Sequence, residues 1–124
     1  MARSSPMRCT NATQQTVLGD RIRLADTFVL RLFGLLPRTG LESGEGLLIT
    51  PCNSVHSIGM RFEFDAIFLD ADNRVVHAMD RMKPMRLSPV VWKAKAVLEC
   101  PAGTIESAQI KVGDQLTFET TAAS

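Results

Sequence analysis

The sequence predicts an α+β domain that is predominantly β. The expected form is a compact, partly closed barrel or two packed small sheets of short antiparallel strands, with one main helix near residues 26–36. Three observations carry this reading. Short apolar runs recur along the chain, each bounded by Gly, Pro or Asp. One stretch alone has apolar residues at helical spacing. The length of 124 residues suits one domain with a single modest core, and short strands must hide their edges by closure or packing.

Taken in order, residues 1–12 read as a flexible tail, residues 13–120 as the domain and residues 121–124 as a second tail. Residues 14–18 and 21–24 are strand candidates joined by Gly19-Asp20, a favoured hairpin dipeptide. Asp26 or Thr27 can cap the helix by accepting from orphan backbone N–H groups. Val29, Leu32, Phe33 and Leu36 form its apolar stripe, Gly34 weakens its last turn and Pro37 closes it. A glycine-bearing loop over 38–45 leads to a strand over 46–50, which Pro51 stops. Further strands are expected over 66–69, 75–79 and 94–100, then a turn of helix within 102–107. Residues 109–112 and 115–119 flank Gly113-Asp114, a second hairpin dipeptide.

The run SVHSIGMRFEFDAIFLD, residues 54–70, joins a polar half to a strand that is apolar on both faces. The turn after it fixes which face is which. A two-residue loop at Asp72-Asn73 would set Phe68 opposite His77 and Asp65 opposite Asp80, which is unfavourable. A three-residue loop over 71–73 places Asn73 in the left-handed region that Asn tolerates. It pairs Asp70 with Arg74, Phe68 with Val76, Ala66 with Ala78 and Glu63 with Arg81, and is the expected register. Phe64, Ala66, Phe68, Val76 and Ala78 then share one face. Arg61, Glu63, Asp65, His77, Met79 and Arg81 share the other, beside Ile67. Arg61 and Asp65 lie roughly 13 Å apart along a straight strand, so each needs a partner elsewhere or a ligand.

Composition excludes several classes. A net charge of +1 gives no global attraction to nucleic acid or an anionic membrane. No apolar run approaches the ~20 residues of a membrane span. The N-terminal residues lack the apolar region of a secretory signal, so a soluble, cytoplasmic protein is expected. Cys9, Cys52 and Cys100 form no Cys-x-x-Cys pair and no disulfide framework is read; Cys52 and Cys100 are expected as small buried thiols. No phosphate-cradling glycine motif and no cofactor motif is present.

Several site readings compete around residues 52–65. Cys52 and His56 form a weak metal-ligand pair, without the paired spacing typical of zinc sites. Cys52 or Ser54 with His56 and Asp65 would be a nucleophile set, but residues this close in sequence rarely assemble a triad. Glu63 and Asp65 suggest glycoside chemistry, yet the chain has no Tyr and one Trp to form a sugar platform. A non-catalytic binding role asks for less. His56, Arg61, Asp65 and Arg81 could edge a groove floored by Met60 and Met79, with Glu99 joining from the neighbouring strand or pairing with Lys95. Arg61 would offer a planar fork to a small polar or anionic ligand. In the structural alternative, Arg61 and Asp65 bond backbone groups and fix the chain at the strand entry. A small hydrolase-like enzyme is a further alternative. So is an accessory protein docking on a larger assembly or protein partner through residues 81–95, where Arg81, Lys83, Arg86, Lys93 and Lys95 occur with no acidic residue. An exposed flat patch over 82–92 would favour docking.

The chain resembles the uncharacterised family called domain of unknown function 192 (DUF192). The matching segments are RLFGLLPR at 31–38, GEGLLI at 44–49, VHSIGMRFEFDAIFLD at 55–70, VLECPAG at 97–103 and IKVGD at 110–114. It is similar to the branch with a His-x-x-Gly-Met-Arg-Phe core rather than a longer Trp-Met-Lys-Asn-Thr version. Glu63 stands where relatives often place proline. The resemblance implies a compact β-rich fold over about residues 20–118 and implies no chemistry.

Overall fold

The structure, a computed structural model, describes residues 5–27 and 38–121. The helix expected near residues 26–36 lies outside the described residues, Asp26 and Thr27 excepted. Seven strands form one sheet: β1 (Met7–Asn11), β2 (Thr16–Ala25), β3 (Glu45–Ile49), β4 (Phe64–Leu69), β5 (Val75–Met82), β6 (Ala96–Pro101) and β7 (Leu116–Thr120). One short helix, α1 (Thr104–Ser107), follows β6. The spatial order is β5-β4-β6-β3-β2-β1-β7, and of the paired neighbours only β2 and β3 run parallel.

The sheet curls until its two edge strands touch. Arg74, just before β5, bridges Gln115, just before β7. The Val75 N–H donates to the Asp114 carbonyl at 2.8 Å, and the Leu116 N–H to the Asn73 carbonyl at 3.0 Å. This partial closure satisfies backbone groups that an open edge would expose. The fold is therefore predominantly β, as the partly closed barrel expectation has it. All seven strands lie in one sheet, so the alternative of two small sheets does not form.

Alternation of side chains sorts the apolar residues into two layers. The inner layer gathers residues from every strand, among them Cys9, Ile22, Leu48, Ile67, Leu98, Val75 and Leu116. The outer layer lies on the other face of the central strands and includes Leu47, Phe64, Ala66, Phe68, Val97, Met60 and Met82. Covered on both sides, all six residues of β4 are buried.

Three local expectations need correction. Residues 7–11 are not tail: β1 pairs with both β2 and β7. Its last residue, Asn11, is fully buried and donates to the Asp114 carboxylate at 2.8 Å. Burial pushes the Asp114 carboxyl upward, but donors from Asn11, Lys111 and Gln14 outweigh it and hold the group below its ordinary value. Gly19-Asp20 is not a hairpin turn, because β2 runs straight through it. Glycine is required there by proximity: a Cβ on Gly19 would stand 2.5 Å from the Gly44 carbonyl oxygen. Residues 109–112 are not a strand, and Asp114 closes a turn on Lys111 instead.

The register beside the Asn73 turn also differs. Leu69 pairs with Val75, as the three-residue loop requires, and Asn73 has a φ of 62°. An irregularity at Val76 then shifts the ladder, so Phe68 faces His77 and Ile67 faces Ala78. The pairing rejected on the sequence is satisfied by an edge-on ring contact, with centroids 5.2 Å apart. The same register puts Ala66 opposite Met79, and a second irregularity then puts Phe64 opposite Met82. Met79 thus packs with the Phe64 and Ala66 layer, not on the opposite face as expected.

Arg81 sits at this second bulge with a φ of 51°. Its N–H donates to Asp65 Oδ1 at 2.8 Å. Asp65 Oδ2 accepts from the Gly103 N–H at 3.1 Å and the Ile105 N–H at 2.8 Å, capping α1 from a remote strand. Replacing Asp65 by Ala leaves three partly buried donors without their acceptor and should cost ~3 kcal/mol in chemical denaturation. Arg81→Ala retains the backbone donor and should leave the unfolding midpoint nearly unchanged. Gly19→Ala should lower stability by ~1–3 kcal/mol through the clash with Gly44.

Candidate functional site

The expected ligand-binding residues divide between the two faces of the sheet. Asp65 alternates with Ile67 and Leu69 on the inner side and has no exposed surface. Burial pushes its carboxyl above the ordinary value, against the pull of the N–H donors of Ile105, Arg81 and Gly103; the nearby negative charge of Asp80 adds to the rise. The Arg81 side chain, half-exposed, turns to Asp80 at 3.1 Å and Glu106 at 3.4 Å. Met60 and Glu99 belong to the outer side. His56 and Arg61 are exposed on the loop that precedes β4. No single groove therefore gathers His56, Arg61, Asp65 and Arg81.

What the fold does gather is two segments far apart in sequence. Residues 53–57 run against residues 86–91 in an irregular ladder. The Val91 N–H donates to the Asn53 carbonyl at 2.8 Å, the Ser88 N–H to the Val55 carbonyl at 2.9 Å and the Ser57 N–H to the Arg86 carbonyl at 2.9 Å. His56 bridges Leu87. Ser57 is the hub of this ladder and is fully buried. Its hydroxyl donates to the Lys83 carbonyl at 2.6 Å and accepts from the Arg86 N–H at 2.8 Å. Its carbonyl accepts from the Met60 and Met85 N–H groups at 3.0 and 3.1 Å. The first of these closes a turn with Gly59 at a φ of 87°, a conformation that favours glycine.

The ladder turns apolar side chains outward. Trp92 is 82% exposed, Leu87 71%, Met85 64%, Ile58 48% and Val90 47%. Lys83, Arg86, Lys93 and Arg61 stand exposed among them. The loop bearing His56 and Arg61 and the basic segment 81–95, read separately in the sequence, thus build one surface. Neither Ser57 nor Ser88 was marked by the sequence, because their partners lie about 30 residues away and no local motif announces them.

The chemistry expected of Cys52 and His56 finds little support in their placement. The Cys52 thiol, half-buried rather than buried, donates to the Ser54 carbonyl at 3.0 Å. Among the described residues no three His, Cys, Asp or Glu side chains are grouped to hold a metal ion. His77 packs on Phe68. Cys9 and Cys100 are buried, and burial pushes the Cys9 thiol up to about 12, far from a reactive thiolate.

Glu99 is the exception in the buried set. It is 5% exposed and, among the described residues, no hydrogen bond or ion pair reaches its carboxyl; it does not pair with Lys95. Burial alone pushes it from 4.5 up to about 8. The folded chain then holds a proton that the unfolded chain releases between those two values. Stability should fall as pH rises through that window, by about 1.4 kcal/mol per pH unit at most. Glu99→Gln removes the titration, so its melting temperature should change less between pH 5 and pH 8 than that of the unmodified chain. Equal slopes in the two proteins would count against a neutral Glu99.

Comparisons with known proteins agree with this architecture. The DUF192 family model, described as an uncharacterised ACR, matches residues 8–118. A UPF0127 protein of Pyrococcus furiosus is 35% identical over 109 residues, spanning 86% of this chain and 93% of the relative. A UPF0127 protein of Pyrococcus horikoshii is 33% identical over 102 residues, spanning 80% and 88%. A crystal structure of a protein of unknown function from Novosphingobium aromaticivorans superposes with a TM-score of 0.77 at 28% identity, covering 90% of this chain and 83% of that one. A crystal structure from Sinorhizobium meliloti, 20% identical with a TM-score of 0.81 over 94% of this chain and 95% of that one, shares the fold alone. With a family model that matches residues 8–118, a range that contains the motifs at 31–38, 44–49, 55–70, 97–103 and 110–114, this chain belongs to the DUF192 family.

Proposed function

We propose that the protein is a non-catalytic binding module, and that its ladder surface docks a segment of a protein partner rich in acidic and apolar side chains. One observation carries this reading: Leu87 and Val90 on the backbone ladder, and Met85, Ile58 and Trp92 directly flanking it in the chain, are all exposed, while a buried serine anchors the ladder. Exposed apolar side chains scattered singly need no explanation, but a group held on a hydrogen-bonded frame does. Presentation on such a frame lowers the ordering cost of binding. Aromatic and Arg side chains are the common anchors of protein interfaces. The surrounding cations, Arg61, Lys83, Arg86 and Lys93, with no acidic residue among positions 81–95, favour a partner that brings carboxylates. In this reading His56 and Arg61 contribute to the surface, while Asp65 acts beneath the sheet and touches no partner.

Trp92 is the only tryptophan and the chain has no tyrosine, so its emission reports directly on this surface. A displayed peptide library selected on the full chain should enrich sequences that set Asp or Glu beside Leu, Phe or Trp. Tryptophan-free enriched peptides should shift Trp92 emission to the blue. Arg86→Glu with Lys93→Glu should weaken binding at least tenfold and leave the melting temperature unchanged. Selection without acidic enrichment, or binding indifferent to the charge reversal, would overturn the proposal. So would vesicles rich in phosphatidylserine that shift Trp92 emission while the peptides do not, since the surface would then face a membrane.

A further inference from the structure

We propose a second site that is separate from the ladder surface: Glu99 is the recognition group for a small amphipathic cation, an ammonium head on a short apolar body, bound on the outer face of the sheet. The register fixes its surroundings. Glu99 pairs with Leu47 on β3 and Ala66 on β4, and Ala66 pairs in turn with Met79 on β5. These residues form one row across the outer face, with Phe64, Phe68, Ile49 and Glu45 at the diagonal positions. Apart from Glu45, whose carboxylate is taken by Arg38 at 2.8 Å, each of those neighbours is apolar. Arg23 lies further along the row, beyond Leu47 and about 10 Å from Glu99, and makes a polar contact of its own.

A carboxyl in such a ring is costly. Burying a polar group without a hydrogen bond forfeits ~1–3 kcal/mol on protein scales. The same chain equips its other buried carboxylates fully: Asp65 receives three backbone N–H groups, and Asp114 receives Asn11, Gln14 and Lys111. Glu99 receives none among the described residues. A residue kept for packing would be better served by Leu or Met at this position.

The missing donor defines the ligand. An anion would be repelled and would supply no proton. A neutral alcohol would give one hydrogen bond and leave the second oxygen bare. An ammonium head supplies up to three donors and a counter-charge, so that the carboxyl can ionise and the two charges be buried as a pair. The apolar neighbours described on β3, β4 and β5 call for an apolar body behind that head. Ala66 has the smallest side chain of the row and is the least obstacle beside the carboxyl on the β4 side. Met60, Met79 and Met82, in the same layer, have the flexible unbranched side chains that can turn aside to admit it.

The probes are n-hexylammonium, 1-hexanol and hexanoate, titrated into the full chain and followed by calorimetry and by methyl NMR. Hexylammonium should bind at least tenfold more tightly than hexanol, hexanoate should not bind, and the Ala66 and Met79 methyl signals should move first. Glu99→Gln should abolish the preference for the ammonium over the alcohol. If that variant does not fold, the methyl shifts of the unmodified chain decide. Equal binding of the ammonium and the alcohol overturns the proposal. An unchanged preference in Glu99→Gln, or shifts confined to residues away from Ala66 and Met79, does the same.

Discussion

The Asp65 carboxylate is the constraint on which much of this structure depends. One short side chain on β4 holds the backbone of the neighbouring strand on one side and the turn after the other neighbour on the opposite side. Each of its bonds meets a local conformational cost. Arg81 pays a left-handed backbone to expose its N–H at the bulge, and Gly103 supplies the positive φ that a residue with a side chain adopts reluctantly. Glutamate would carry the carboxylate one methylene beyond the position where these three donors converge, and asparagine would turn one acceptor into a fourth donor. The carboxylate is therefore specified by geometry as much as by charge.

The bulge that Asp65 anchors has consequences beyond its corner. It moves Met82 into register with Phe64, as the earlier irregularity at Val76 does Met79 with Ala66, and together they complete the outer layer. It also sets where the chain stands when it leaves β5 at Met82. One residue later the Lys83 carbonyl accepts the Ser57 hydroxyl, and the ladder begins. The exposed apolar surface is in this sense built outward from a buried carboxylate: Asp65 to Arg81, Met82 to Lys83, Lys83 to Ser57. The site residues that look contiguous in the sequence, His56, Arg61 and Asp65, are connected through that chain of contacts and do not meet in space.

The parts that were legible in the sequence are those decided by local pattern. The fully apolar run 64–69 announces a strand covered on both faces, and Asn73 announces its turn. Pro51 and Pro101 mark strand ends close to where they fall. The failures have a common physical origin in tertiary contact. Gly19-Asp20 has the composition of a turn, but the glycine is there to let the Gly44 carbonyl pass. Bulges at β5 depend on partners that local pairing rules cannot see, and each shifts the register by one residue, which turns side chains to the other face. Residues 7–11 were illegible as a strand because their order comes from β7, more than 100 positions later in the chain. For the candidate site, the face on which each side chain lies was not legible, because the bulges of β5 decide it.

Glu99 and the ladder share the outer layer, and Met60 links them. Its backbone N–H is bonded to the Ser57 carbonyl inside the ladder, while its side chain is buried in the layer that surrounds the Glu99 row. Packing in such a layer is dense, so a group admitted beside Glu99 must move neighbouring side chains rather than fill vacant space. Movement at Met60 is constrained at the backbone by Ser57, so displacement falls on its flexible thioether. Met79 has no such tether from the ladder. The Asp65-anchored bulge sets Met82 opposite Phe64, so the inner carboxylate fixes the place of one of the methionines that share the outer layer with Glu99.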